Sequence, residues 1–235
     1  MAFHYPPSSV EPTARRIRVR LGRHLIADST RAHLLIQMGP NRLLTYFIPL
    51  EDVRPGVLVD ETDAGWSVVA GTRRAERAAD KNAEFPELGG HVTFSWTELD
   101  WYEEDEQVFA HARPPNHRVD SLRSSRRVEV YIKGERIANS TRPVLLFETS
   151  LPTRYYLPYG DVRMDLMTAS NTISYCPYKG RARYWSHPEL PDVAWSYPDP
   201  IPENPKIRDL VSFYNEKVDM IIDGVPVERP DSPFA

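Results

Sequence analysis

The chain has 235 residues, of which 41% are hydrophobic and 26% charged, so it is long enough for one large or two small domains with a buried core. Its formal net charge of −4 argues against strong binding to phosphate backbones, which normally needs a basic surplus. A single cysteine excludes an intramolecular disulfide and a zinc site built from several thiolates. We therefore expect a reducing compartment, the cytoplasm.

The first residues, MAFHYPPSSV, do not combine a basic segment with an apolar one, and no apolar run approaches 18 residues. These patterns predict neither a signal peptide nor a membrane span. Short alternating runs such as RIRVRL and RRVEVYI are separated by many of the 22 prolines and 11 glycines. They predict antiparallel β-strands joined by short turns.

The chain also repeats itself. IADSTRAHLL at 26–35 matches IANSTRPVLL at 137–146, and YFIPLEDVR at 46–54 matches YYLPYGDVR at 155–163. Two matches in the same order and at nearly the same offset indicate a duplicated unit. Each copy is predicted to be a β-meander that ends in a strand, a short helical turn and a strand.

The region between the copies contains Pro114 and Pro115, which do not fit a regular β-ladder. It is also richer in histidine and arginine than a passive spacer needs. Residues 71–84, GTRRAERAADKNAE, break the β pattern and predict a charged, helix-forming surface segment. The predicted organisation is a tail (1–16), a degenerate first repeat (17–110), a linker (111–126), a motif-retaining second repeat (127–227) and a second tail (228–235).

The copies differ most around the only cysteine. The second copy has NTISYCPYKGRARYWS at 171–186, and we align it with DAGWSVVAGTRRAERA at 63–78. In this alignment the strand is kept and the Cys-Pro-Tyr-Lys-Gly run is lost. Either the run has a task that only one copy keeps, or the loop has drifted.

The motifs DVRMDL, YCPYKGRARYWS and DVAWSYPDPIPE, in that order, resemble the domain of unknown function 427 family. With HRVDSLRSSRR between the copies, the chain resembles its tandem two-domain members, strongly over 111–224 and weakly over 17–105. The resemblance implies two tandem copies of a small, mostly β, antiparallel unit with short helical turns, similar to the β-tent of methionine sulfoxide reductase B. Relatives of that shape often hold zinc through paired Cys-x-x-Cys motifs, which this chain lacks.

The family also has a nucleotidyltransferase-like label, which the residues here do not support. Nucleotidyl transfer needs carboxylates that hold Mg²⁺ near a triphosphate. The sequence has no Gly-Ser followed by an Asp-x-Asp pair and no phosphate-cradling glycine loop. The reaction therefore stays open, and we expect no metal and no cofactor.

Lys179 is the leading candidate for chemistry. It precedes Gly180 at a predicted hairpin turn, beside Tyr178. Aromatic walls that remove water would lower its pKa and suit it to act as a base, a nucleophile or an anion anchor. The alternative is a solvated turn lysine. Cys176 is expected to be a packed thiol, with a reactive thiol as the less favoured alternative.

Glu148 follows a strand, and it would form an acid–base pair with Lys179 if the two face each other. Arg142 and Arg163 recur in the first copy as Arg31 and Arg54. This recurrence favours a structural role, with anion binding as the alternative. Aromatic residues are expected to fill the core or to line a ligand pocket; those assigned to ligand binding are Tyr156, Tyr184, Trp185, Trp195 and Tyr197.

His111 and His117 stand in the predicted linker. A metal site would pair them with Asp120 or His91, but the irregular spacing favours neutral, hydrogen-bonded histidines.

Three functions are compatible with the sequence. The first is a cofactor-independent enzyme that acts on a small, anionic organic molecule in a second-repeat pocket, with Lys179 and either Tyr178 or Glu148 as the acid–base groups and Arg142 and Arg163 as anion-binding groups. The second is a non-catalytic module for a small ligand or nucleotide. The third is a protein- or RNA-binding adaptor. We expect Lys179→Ala to abolish ligand binding and to leave stability nearly unchanged.

Overall fold

A computed structural model describes residues 7–37, 44–82 and 84–232. The chain divides between Pro114 and Pro115 into two compact units. Within the described ranges, no helix has the length and apolar character needed to cross a membrane.

The first unit is built from strands that alternate buried and more exposed positions. In the strand Ile17–Leu21, for example, Ile17, Val19 and Leu21 are buried and the two arginines between them are not, as expected for a half-buried strand. Its strands are β1 (Ser9–Pro12), β2 (Ile17–Leu21), β3 (His24–Ser29), β4 (His33–Ile36), β5 (Thr45–Pro49), β6 (Leu58–Val59), β7 (Gly65–Ala70), β8 (Arg73–Asp80), β9 (His91–Phe94), β10 (Asp100–Glu103) and β11 (Glu106–Val108).

The second unit has the same sequence of strands. They are β12 (Val119–Arg123), β13 (Val128–Ile132), β14 (Glu135–Ser140), β15 (Val144–Glu148), β16 (Arg154–Pro158), β17 (Thr168–Cys176), β18 (Gly180–His187), β19 (Leu190–Ser196), β20 (Leu210–Phe213), β21 (Asp219–Ile222) and β22 (Val225–Val227). The helical segments of the described residues are single 3₁₀ turns at Leu50–Asp52, Pro86–Leu88, Tyr159–Asp161, Met164–Leu166 and Pro205–Ile207.

Each unit contains one seven-stranded and one four-stranded antiparallel sheet. The strand orders are β1-β4-β5-β9-β8-β7-β6 and β11-β10-β2-β3 in the first unit. They are β12-β15-β16-β20-β19-β18-β17 and β14-β13-β21-β22 in the second. Because every strand has a counterpart in the same place, the topology confirms the mostly β, tandem architecture. The predicted tail and linker each contain an edge strand, β1 and β12.

The main core of the second unit lies between its two sheets. Val128 and Val130 of β13 pack with Leu157 of β16 and Val211 of β20, and all four side chains are fully buried. Burying an aliphatic side chain of this size stabilises a fold by about 1.5–3 kcal/mol. A turn follows β20, closed by the hydrogen bond from Val218 N to Tyr214 O at 3.2 Å. The unit therefore ends in the predicted order of strand, turn and strand, although this turn is not one of the helical segments.

The described residues of the charged segment 71–84 form no helix, so the predicted helix was wrong. Its residues Arg73–Asp80 form β8, in which Ala75 is aligned with Val68 of β7 and Ala79 with Phe94 of β9. The small, buried alanines fit between two neighbouring strands. This tertiary packing outweighs the helix preference of the Ala, Arg and Glu residues.

The alignment of the cysteine region was also wrong. In the structure Val59 corresponds to Thr168 and Trp66 to Trp185, because each pair occupies the same register position against the neighbouring strands. Six residues lie between Val59 and Trp66, and sixteen lie between Thr168 and Trp185. The Cys-Pro-Tyr-Lys-Gly run therefore belongs to a hairpin extension that the first unit lacks.

Candidate functional site

The site candidates of the second unit lie on one face of its seven-stranded sheet, which we call the outer face. Alternation along β15 and β16 sends Leu146 and Tyr156 to this face and Leu157 to the main core. Tyr156 and Leu146 pack there with Trp195 and Tyr197 in a separate cluster. The outer face therefore has its own buried layer, distinct from the core between the sheets.

The hairpin of β17 and β18 places Lys179 on this layer. Its turn includes Gly180, whose φ of +102° is rarely adopted by residues with a side chain. A Cβ atom at Gly180 would lie 3.2 Å from the carbonyl oxygen of Asp199. The backbone N–H of Ile201 donates to the carbonyl of Lys179 at 3.2 Å. The turn is thus held tightly against the segment that follows β19.

Lys179, Glu148 and His117 form a connected group. Lys179 Nζ donates to Glu148 Oε2 at 2.5 Å, and His117 Nε2 lies 3.0 Å from Glu148 Oε1. Their side chains are only 12%, 6% and 7% exposed, respectively. An ionised carboxylate can only accept hydrogen bonds, so the proton of the His117 bond belongs to Nε2.

Both members of the buried ion pair hold their charge. Burial favours the neutral form of Glu148, but Lys179 and the hydrogen bond from His117 outweigh it and lower the pKa of Glu148 to about 2. Burial also acts to lower the pKa of Lys179, but the neighbouring Cys176 and Glu148 outweigh it and the pKa lies above its usual value. The predicted fall in the pKa of Lys179 was therefore wrong, because it considered the aromatic surroundings without the charge of Glu148.

Tyr178 and Asn204 support this group. The ring of Tyr178 stacks on the ring of His117, with centroids 4.4 Å apart. The buried side chain of Asn204 donates from Nδ2 to the carbonyl oxygen of Tyr178 at 2.7 Å and accepts from Ser121 Oγ at 2.8 Å. Asn204 thus joins the hairpin turn to β12, and no sequence motif had pointed to it.

Four of the predicted aromatic residues form a wall beside Lys179. Trp195 Nε1 donates to Tyr156 Oη at 3.1 Å, and burial raises the pKa of Tyr156 to about 12. Tyr197 is buried in the same cluster, and burial likewise raises its pKa. Tyr184 is half-buried, and its Oη lies 2.7 Å from Ser174 Oγ. Tyr156 and Tyr197 therefore stay neutral at physiological pH.

Trp185 is not part of this wall. It neighbours Tyr184 along β18 and so projects to the opposite side of the sheet. There it packs at the main core, with its ring edge-on to Tyr159 at 5.6 Å.

Arg142 and Arg163 are not brought to Lys179. Arg142 pairs with Asp161, and Ser140 Oγ donates to the same carboxylate at 2.7 Å. Arg31, Asp52 and Ser29 repeat this arrangement in the first unit. Arg142 also precedes β15, at the end of that strand opposite to Glu148.

Arg163 makes hydrogen bonds through Nε and Nη2 to the exposed carboxylate of Asp165, at 2.9 and 2.6 Å. Both predicted anion-binding arginines thus already have a carboxylate partner.

Cys176 packs at the edge of the outer layer. Burial raises the pKa of its thiol, with only partial compensation from Lys179. A thiol in this state is a poor nucleophile, in keeping with the packed role favoured from the sequence.

A second buried ion pair on the outer face was missed by the sequence reasoning. Arg154 of β16 donates to both carboxylate oxygens of Glu216, at 2.6 and 2.7 Å, and also to Asn215. Its guanidinium lies 5.5 Å from the centre of the Trp195 ring. Ser232 Oγ donates to Glu216 as well. The available signal was Arg154 itself, an unusual charge in an otherwise apolar strand.

The first unit builds the same sheets without these charged groups. The register pairs His33 with Phe47 and Val144 with Tyr156, so Gln37 occupies the position of Glu148. By the same registers, Thr45 takes the place of Arg154. The ionic groups of the outer face are therefore not required by the fold.

The two linker histidines differ in their surroundings. His111 Nδ1 lies 2.7 Å from the carbonyl oxygen of Ala112, whereas His117 bonds to Glu148. No group of three or more His, Cys, Asp or Glu side chains within 7–37, 44–82 and 84–232 is arranged to hold a metal ion.

Comparison with known proteins and families identifies the family of the chain. A search of curated proteins found no match. A family described as a domain of unknown function, DUF427, matches residues 9–105 and again residues 120–224. The two matches coincide with the two structural units and together cover most of the chain. The protein is therefore a tandem two-domain member of the DUF427 family.

Proposed function

We propose that the second unit is a cofactor-independent enzyme that acts on a small organic molecule by acid–base chemistry at the outer face. The observation that carries this proposal is the buried group of Lys179, Glu148 and His117 beside an aromatic wall. The duplicate unit forms the same sheets with Gln37 in place of the carboxylate. Buried ion pairs add little net stability, so a function explains this group better than the fold does.

The geometry divides the chemical roles. Glu148 orients the His117 ring through Nε2, and among the described residues His117 Nδ1 has no hydrogen-bond partner. With Nε2 donating to Glu148, the lone pair of Nδ1 faces away from the carboxylate and can accept a proton from a substrate. Lys179 keeps its proton and offers a hydrogen-bond donor to an oxygen of the substrate. Tyr178 holds the His117 ring by stacking.

In this proposal, the four wall residues Tyr156, Tyr184, Trp195 and Tyr197 exclude water from the reacting groups.

We place the activity in the cytoplasm, since a chain with one cysteine needs no oxidising compartment.

The test is turnover of pooled metabolites by the purified full-length chain, followed by mass spectrometry. We expect one or more compounds to be consumed, and the rate to fall at least about 100-fold in His117→Asn, the usual range for loss of a general acid or base. Arg16→Gln is the control, because Arg16 forms an exposed ion pair with Asp28 in the first unit. Unchanged turnover in a folded His117→Asn variant would contradict the proposal.

A non-catalytic small-ligand module is the second candidate. It is favoured by the fixed opposite charges of Lys179 and Glu148, which suit binding without proton transfer. Saturable binding of a metabolite that stays chemically unchanged would establish this candidate instead. An RNA-binding adaptor has less support, because Tyr156, Trp195 and Tyr197 are buried rather than displayed for base stacking.

A further inference from the structure

The cations of the outer face are already balanced by carboxylates. Lys179 pairs with Glu148, and Arg154 pairs with Glu216 through two hydrogen bonds. A bound anion would meet Glu148 as closely as Lys179, so repulsion by the carboxylate would offset much of the attraction by the ammonium group. The anion would also lose its hydration without a free counter-charge.

Lys179 nevertheless has unused donors. An ammonium group carries three N–H bonds, and Glu148 is the acceptor that the described part of the chain supplies to Nζ. The side chain is 12% exposed, so it is largely removed from bulk water but is not fully enclosed. Buried donors of this kind are normally satisfied. A neutral acceptor on a ligand, such as a carbonyl oxygen, would satisfy one without adding charge.

The side chains near this group are largely aromatic. Tyr178 and His117 present a stacked pair of rings, and Tyr184 and Tyr214 are half-buried members of the aromatic cluster. Aromatic rings of this kind favour planar partners through offset or edge contacts.

We infer that the ligand of this site is an uncharged, planar molecule whose carbonyl or equivalent neutral acceptor binds Lys179 Nζ. This inference rests on the proposed function and narrows its substrate class. It replaces the anionic ligand expected from the sequence, which depended on Arg142 and Arg163, two residues that the structure pairs with aspartates elsewhere.

The experiment compares isosteric amides and carboxylates, benzamide with benzoate and 2-naphthamide with 2-naphthoate, by saturation-transfer NMR on the full-length chain. We expect each amide to bind at least about tenfold more tightly than its carboxylate. Lys179→Met should reduce amide binding at least about tenfold, and Arg16→Gln should not. Because Lys179→Met leaves Glu148 unpaired, the double variant Lys179→Met/Glu148→Gln, which removes both charges, repeats the test in a balanced background.

Tighter binding of the carboxylates would overturn the inference and leave the proposed enzyme in place with an anionic substrate. Amide binding that survives in both Lys179 variants would also overturn it. If no probe binds the native chain, this inference is wrong, while the proposed function is still decided separately by the turnover of His117→Asn.

Discussion

Glu148 has two partners at once, since it accepts from Lys179 and from His117 while almost fully buried. We expect Glu148→Gln to lower the free energy of unfolding by about 3–5 kcal/mol, because removing one member of a buried ion pair leaves the other charge unpaired. Lys179→Met/Glu148→Gln should lose less than Glu148→Gln alone. Denaturation followed by circular dichroism measures both. Asp28→Asn, in an exposed ion pair, is the control and should lose at most about 1 kcal/mol.

The pH dependence checks that the charge of Glu148 is responsible. A folded pKa of about 2 lies below the ordinary value of a glutamate. The stabilising contribution is therefore complete above the unfolded pKa, near pH 4.5, and is lost as the pH falls toward 2. The difference in stability between the native chain and Glu148→Gln should shrink over this interval. A difference that stays constant with pH would mean that packing, and not charge, explains the loss.

The buried ion pair changes the expectation for Lys179→Ala, which from the sequence alone was a loss of ligand binding with nearly unchanged stability. A turn lysine in water would cost little stability when removed, but Lys179 is buried against a carboxylate. Its removal should therefore affect both stability and binding.

At the scale of elements, the hairpin of β17 and β18 is the main difference between the units, and Gly180 fixes its turn. We expect Gly180→Ala to cost about 2–3 kcal/mol, because the new Cβ would combine a disfavoured backbone conformation with crowding against the Asp199 carbonyl. Gly134→Ala is the matched control. Gly134 has a φ of +83° but open space around it, so this variant should cost about 1 kcal/mol. Equal losses in chemical denaturation would show that crowding contributes nothing.

The sequence predicted correctly those elements whose structure is set by the local pattern of residues, and it failed for elements that depend on contacts with neighbouring strands. The repeats and the alternating strands gave the duplicated β architecture. The β8 segment was missed because its small, charged residues become a strand only between β7 and β9. The sequence alignment of the cysteine region was wrong because Trp66 and Trp185 occupy equivalent positions, and this equivalence is visible only from the register of the paired strands.

The candidate site was predictable in part for the same reason. Glu148 and Lys179 were proposed as a pair, and the structure brings them together. The recurrence of Arg142 in the first unit favoured a structural role, and the structure pairs Arg142 with Asp161 and Arg163 with Asp165. His117 escaped notice as a partner of Glu148 because its position depends on the course of the segment before β12, which no periodicity fixes.

At the scale of the whole molecule, the duplication separates what the fold needs from what the site needs. The Ser-Asp-Arg arrangement occurs in both units, as Ser29 with Asp52 and Ser140 with Asp161, each with a 2.7 Å hydrogen bond. The charged pairs of the outer face occur in the second unit, where the first has Gln37 and Thr45. Shared groups should therefore serve stability, and unshared groups should serve the proposed activity.

The two shared serines give a matched test of this division. Both are 2% exposed, and each supplies a hydroxyl to an aspartate and accepts from the backbone N–H of the following arginine, Arg31 or Arg142. We expect Ser29→Ala and Ser140→Ala each to destabilise its own unit by about 1–2 kcal/mol, the cost of leaving such partners unsatisfied. Hydrogen exchange followed by mass spectrometry resolves the units separately, which matters because two units need not unfold in one step.

Neither serine variant should change turnover or ligand binding at the outer face, whereas His117→Asn should change turnover with a smaller effect on exchange. If Ser140→Ala abolished activity while Ser29→Ala had no effect on the exchange of the first unit, the Ser-Asp-Arg group of the second unit would belong to the site. The Ser-Asp-Arg groups of the two units would then share a geometry but have different roles.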